Sequence, residues 1–93
     1  MSSGPQVLII DDEVQIRRFL RISLEANGYQ VTETATGQDG LLKTAQMRPD
    51  LIILDLGLPD MEGAAVLTRL REWTTIPVII LSVRDSDQDK VTV

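Results

Sequence analysis

Five residues with usable chemistry follow directly on three short apolar runs. Val7-Leu8-Ile9-Ile10 ends in Asp11-Asp12-Glu13, Leu51-Ile52-Ile53-Leu54 ends in Asp55, and Val78-Ile79-Ile80-Leu81 ends in Ser82. Short, wholly apolar runs separated by helical patterns read as parallel strands buried on both faces. In such sheets ligands bind just past the carboxyl ends of the strands. Four carboxylates and a hydroxyl are therefore expected at one edge of the sheet, where like charges are best tolerated around a cation. Asp55 is a candidate nucleophile, because a carboxylate can attack phosphorus and hold the group as an acyl phosphate. That chemistry needs a cation to neutralise developing charge and a fixed line of attack. Magnesium takes oxygen ligands and commonly only one or two carboxylates, so Asp12 and Asp55 suit it. Asp11 would hold a bound water and the Gly57 carbonyl would add a further ligand.

A structural account competes with each assignment. Asp55 could cap a turn, and Asp11-Asp12-Glu13 could merely favour the first turn of a helix. Either cluster alone is more often structural; both at strand ends of one parallel sheet reverse those odds. Ser82 could donate to a phosphoryl oxygen or simply cap a strand end. Pro59 and Gly63 read equally well as ordinary loop punctuation. Asp85-x-Asp87-x-Asp89 has the opening spacing of a calcium loop, but Lys90 stands where glycine is required and no glutamate follows, which excludes it.

The elements that must position these groups are legible. Strand 1 covers Gln6 to Ile10. A helix from Val14 to Ala26 carries Ile16, Phe19, Leu20 and Leu24 on one stripe, with Arg17, Arg18 and Arg21 as its solvated face. Gly28 stops it. Tyr29 to Thr34 mixes Gln30, Thr32 and Glu33 with Val31, as an edge strand does. Helix 2, Gly37 to Met47, is expected to bury Leu41, Leu42 and Ala45 before Pro49 closes it. A turn-rich loop from Asp55 to Gly63 leads to helix 3, with Val66, Leu67 and Leu70 inward, ending near Trp73. Pro77 opens strand 4. The β-α-β-α-β-α-β pattern implies right-handed crossovers and a parallel sheet.

Composition narrows the choices. The 93 residues suit one small domain, and 43% hydrophobic content is ordinary for a globular chain. The absence of cysteine removes disulfides, thiol catalysis and cysteine-ligated metals, and the absence of histidine removes its acid-base and ligand chemistry. A net charge of -5 argues against direct nucleic-acid binding by this chain. No apolar run approaches a membrane span, and Met1-Ser2-Ser3-Gly4-Pro5 is a short polar lead-in, so a cytoplasmic location is expected. A metal-dependent phosphatase would want a second acid two residues past Asp55, where Gly57 stands. A nucleotide-binding enzyme would want a Gly-rich loop after strand 1.

Val7 to Glu13, the stretch Asp50-Leu51-Ile52-Ile53-Leu54-Asp55-Leu56-Gly57-Leu58-Pro59-Asp60-x-x-Gly63, and Pro77 to Ser82 together resemble the receiver domain of two-component response regulators. The likeness extends over essentially the whole chain. The wording around Ile16-Arg17-Arg18-Phe19-Leu20-Arg21 and Leu54 to Asp60 is closest to the potassium-responsive KdpE type of the OmpR/PhoB group.

The resemblance implies an α/β, flavodoxin-like (CheY-like) three-layer fold with strand order 2-1-3-4, the family's fifth strand and last helices being missing. It implies that Asp55 takes a phosphoryl group from a sensor histidine kinase, and that Asp11, Asp12, Asp55 and the Gly57 carbonyl hold Mg2+. Ser82 would be the switch hydroxyl, drawn inward on phosphorylation as a charge-driven two-state element shifts. Residues 1–93 are accordingly expected to be a receiver domain incomplete at its C-terminus, since the family's domain runs to roughly 120 residues, with no DNA-binding domain present. The family's phosphate-contacting lysine has no counterpart at a strand end: the two lysines are Lys43 and Lys90. The competing expectation is a receiver-like module that binds a cation or a kinase without being phosphorylated. An apolar strand 4 left at an edge also predicts self-association or exchange of elements between chains.

Overall fold

The structure is a computed structural model that describes residues 4–81. Strands and helices alternate: β1 (Gln6–Ile10), α1 (Val14–Ala26), β2 (Gln30–Thr34), α2 (Gly37–Met47), β3 (Leu51–Asp55), α3 (Gly63–Arg71) and β4 (Val78–Leu81). The sheet order is β2-β1-β3-β4 and every pairing is parallel. The fold is thus the α/β arrangement expected from the sequence. Ser82 and the Asp85–Asp89 segment lie outside the described residues.

The two central strands explain why the apolar runs are unbroken. Val7, Leu8, Ile9 and Ile10 of β1 and Ile52 and Leu54 of β3 are wholly buried, because strand side chains alternate between faces and both faces are covered. Leu8, Ile10, Ile52 and Leu54 meet Leu58, Val66 and Leu70, with Leu41, Met47 and Met61 around them. Val7, Ile9 and Ile53 point the other way, against Leu20 and Leu24 of α1 and against Val31 and Leu81. Helices α2 and α3 therefore cover one face and α1 the other, giving three layers.

Two helical faces differ from expectation. Phe19 is 68% exposed. The line that meets the sheet is Leu20 and Leu24, four residues apart, and Phe19 lies about 100° around the helix from Leu20. On α2, Leu42 and Ala45 are exposed, whereas Gly37, Gly40 and Thr44 are buried. The cause is a close approach: a Cβ at Gly40 would stand 2.5 Å from Ile10 Cδ1. Thr44 is tolerated inside because its Oγ1 donates to the Gly40 carbonyl at 2.8 Å. Apolarity reveals Leu41 and Met47 but not the glycines and threonine that complete the inward face.

The end of α1 follows the rule for a C′ glycine. Gly28 has φ +90°, and the Gly28 and Tyr29 N–H groups donate to the Glu25 and Leu24 carbonyls. Among the described residues no helix is long and apolar enough to cross a membrane.

Candidate phosphoacceptor and metal site

Asp11 is the first residue past β1 and Asp55 is the last of β3. Because Ile10 is in register with Leu54, the two carboxylates emerge side by side at the same edge of the sheet. Asp11 is 2% and Asp55 4% exposed, while Asp12 is exposed. One carboxylate oxygen from each of Asp11, Asp12 and Asp55 can be chosen so that all three lie within 4.8 Å of one another. Full charges at such spacing repel by roughly 3 kcal/mol per pair at an effective dielectric of about 20. A divalent cation relieves that repulsion, and an all-oxygen, carboxylate-rich donor set suits a hard ion. The residues present therefore fit magnesium.

Asp11 also has a structural role of its own, distinct from favouring the first turn of α1, in which no acidic residue stands. Asp11 Oδ1 accepts from the Glu13 N–H at 2.8 Å, turning the chain from β1 into α1, and the Asp11 N–H donates to the Thr34 carbonyl at 3.1 Å. The turn uses one oxygen of Asp11 and pins its side chain in place. Glu13 stands at the same edge as the N-cap residue of α1, with no side-chain capping bond. It lies outside the three-oxygen cluster.

The loop after Asp55 is fastened at two points. Gly63 N–H donates to the Leu56 carbonyl at 2.9 Å, and a Cβ on Gly63 would come within 2.6 Å of the Asp55 carbonyl oxygen and of Leu56 Cα. Gly63 is thus required by packing at the first residue of α3, beyond its part in turn chemistry. Asp60 supplies the second fastening: its two carboxylate oxygens accept from the Gly37 N–H at 2.8 Å and the Gln38 N–H at 2.9 Å. Those bonds hold the Asp60 carboxyl below its usual pKa. Gly57 lies exposed between the fastenings, and with Leu56, Leu58, Glu62 and Ala64 it lines an open cleft of about 410 Å³. A larger cleft of about 570 Å³, between Arg48, Pro49, Trp73 and Ile76, lies at the opposite end of the strands and takes no part in this chemistry.

One expectation for α1 needs correction. Arg17 does not belong to a solvated face: its side chain is 17% exposed, its Nε donates to Glu33 Oε1 at 3.0 Å and an Nη donates to the Asp11 carbonyl at 2.7 Å. Arg21 Nε lies 3.0 Å from the other Glu33 oxygen. The helical spacing of the arginines was visible in the sequence. Their partner was not, because Glu33 lies on β2, sixteen residues from Arg17.

Comparison with known proteins places the chain in a family. The family model described as response regulator receiver domain matches residues 7–93. The chain is 54% identical over 85 residues to the KDP operon transcriptional regulatory protein KdpE of Escherichia coli K12, and 56% identical over 85 residues to the transcriptional regulatory protein KdpE of Mycobacterium tuberculosis. Each match covers 91% of this chain, which spans 38% of the length of either relative. Among solved structures, the receiver domain of the Francisella response regulator 1452 superposes with a TM-score of 0.83 at 33% identity, covering 96% of this chain and 74% of that one. A CheY-like receiver domain from Methylobacillus flagellatus gives 0.80 at 29% identity, covering 86% and 70%. With its sheet order, its acidic strand ends and these matches in agreement, the chain belongs to the response regulator receiver domain family.

Proposed function

We propose that residues 1–93 act as the receiver of a two-component response regulator, with Asp55 as the phosphoacceptor. The observation that carries this reading is the convergence of Asp11, Asp12 and Asp55 oxygens within 4.8 Å, with Asp55 almost wholly buried at the end of β3. An Asp55 oxygen forms the new O–P bond as the P–N bond to the donor imidazole of a sensor histidine kinase breaks, and the leaving imidazole takes up a proton. Bound Mg2+ would supply charge neutralisation on the transferring phosphoryl oxygens. Asp12, Asp55 and the Gly57 carbonyl would hold the ion, with Asp11 oriented by its bond from the Glu13 N–H. Ser82 would contact the phosphoryl group as the switch hydroxyl. In the whole protein the switch would control transcription, as the names of the KdpE relatives suggest. A second copy of the chain, meeting the first along β4, is the further partner.

The second reading is a receiver-like module that binds a cation or a kinase without accepting phosphate. Intact mass after incubation with Mg2+ and acetyl phosphate separates the two. The first reading expects one phosphoryl adduct on the parent and none on Asp55→Asn. A folded parent that gains no adduct establishes the second.

A further inference from the structure

Helix α2 would leave its first N–H groups without intrahelical partners, as every helix does, and the way it satisfies them is unusual. The Asp39 N–H is taken by Thr36 Oγ1 at 3.1 Å, the expected N-cap bond. The Gly40 N–H already reaches the Thr36 carbonyl. The two outermost groups, Gly37 and Gln38, are taken by a carboxylate more than twenty residues away, Asp60 of the β3–α3 loop. The same place is closely packed: a Cβ on Gly37 would stand 2.5 Å from Met61 Cγ and 2.9 Å from a Val66 methyl. The loop therefore presses onto the start of α2 through a charge-assisted fork and a tight apolar contact, three residues past Gly57. Charge-assisted bonds to backbone N–H groups at a helix N-terminus are among the stronger and better-directed hydrogen bonds.

We propose that Asp60 is a positioning residue for the cation site: by clamping the β3–α3 loop onto the N-terminus of α2, it fixes where the Gly57 main chain stands relative to Asp55. The inference rests on the site assignment above and adds a residue that does not itself touch the ion. Between the Gly63–Leu56 bond and the Asp60 fork, the loop has little freedom to place its main chain elsewhere. Release of the fork leaves the Gly63–Leu56 bond closed and loosens the segment between them, in which Gly57 lies. The ligand affected is a small divalent cation that takes part of its shell from main-chain oxygen.

The test is titration of the folded chain with Mg2+ by calorimetry, together with the rate of acetyl phosphate labelling as a function of Mg2+ concentration. Four proteins are compared: parent, Asp60→Ala, Asp60→Asn and Thr36→Ala. Asp60→Ala is expected to raise the Mg2+ dissociation constant at least about three-fold and to shift the half-saturating Mg2+ concentration for labelling more than the plateau rate. Asp60→Asn, which keeps one acceptor oxygen, falls between. Thr36→Ala removes a cap from the same helix end without touching the loop, so it lowers the melting temperature and leaves Mg2+ affinity unchanged. Equal affinity for Asp60→Ala and parent overturns the inference and leaves the site assignment standing, as does a Thr36→Ala loss equal to that of Asp60→Ala. A folded parent that binds no Mg2+ overturns both.

Discussion

Arg17 Nε lies 3.0 Å from Glu33 Oε1, joining the first turns of α1 to the edge strand β2, and the same guanidinium donates to the main-chain carbonyl of Asp11 at 2.7 Å. One side chain thus holds together three elements that meet at the acidic end of the sheet. The pair is largely shielded, at 17% and 25% exposure, so it falls between an exposed ion pair and a fully buried one. Arg17→Ala is expected to destabilise the chain by roughly 1.5–3 kcal/mol, the range for hydrogen bonds to charged groups. Arg17→Lys should recover only part, because an ammonium cannot reproduce the fork. A double-mutant cycle with Glu33→Gln, read by urea unfolding, should return a coupling of about 0.5–2 kcal/mol. Additive effects would show that the two groups do not cooperate.

Gly63→Ala should damage the site more than the fold around it. The added methyl meets main-chain atoms, the Asp55 carbonyl oxygen and Leu56 Cα, each at 2.6 Å, and main chain cannot swing aside as a side chain can. The start of α3 must back away from the end of β3, and Asp55 moves with it. We expect a loss of about 1–3 kcal/mol in stability, typical of overpacking, with at least a ten-fold slower acetyl phosphate labelling of the fraction that remains folded. Labelling at the parent rate would mean that the strand end tolerates the shift.

Gly40→Ala provides the contrast. Its methyl would meet the Ile10 side chain at 2.5–3.0 Å, and Ile10 is wholly buried beside Asp11. A rotamer change at Ile10 absorbs part of the clash, so the cost should again be about 1–3 kcal/mol, seen as a lower urea midpoint with an unchanged slope. A variant as stable as the parent would show that α2 can lift off the sheet at no cost.

These cases show how far the sequence could be read. The strands were legible because both faces of β1 and β3 are covered, which makes their residues uniformly apolar. The strand ends were legible because two acid-tipped runs in one parallel sheet must meet at the same edge, whereas either run alone reads as structural. What escaped was set by close approach and long-range pairing. The inward glycines of α2 carry no hydrophobic signal, Phe19 is apolar and yet faces solvent, and Arg17 reads as surface until β2 brings Glu33 beneath it. Asp60 reads as a turn residue, and only the fold places it at the start of α2.

The acid response of the chain should carry a contribution from Asp60. Its carboxyl is held below the ordinary value of 3.8 by bonds from Gly37 and Gln38. A depressed folded-state pKa adds stability that is present above the unfolded value and disappears as pH falls through the folded value. The melting temperature of the parent should therefore exceed that of Asp60→Asn near neutral pH, and the gap should close below about pH 4. A gap independent of pH would place the difference in packing rather than in charge.

Association along β4 should be governed by side chains that the described fold leaves open. Among the described residues β4 forms one edge of the sheet, and Ile79 and Ile80, which point to opposite faces, are 50% and 37% exposed. An apolar edge strand with open backbone groups is a template for pairing with another chain. The chain should therefore show a mass above the monomer in sizing with light scattering, rising with concentration. Ile79→Lys should shift it toward the monomer, since a charge on an edge strand opposes pairing. A sharp monomer peak from the parent at high concentration, with a cooperative melt, would show that this edge is closed within a single chain.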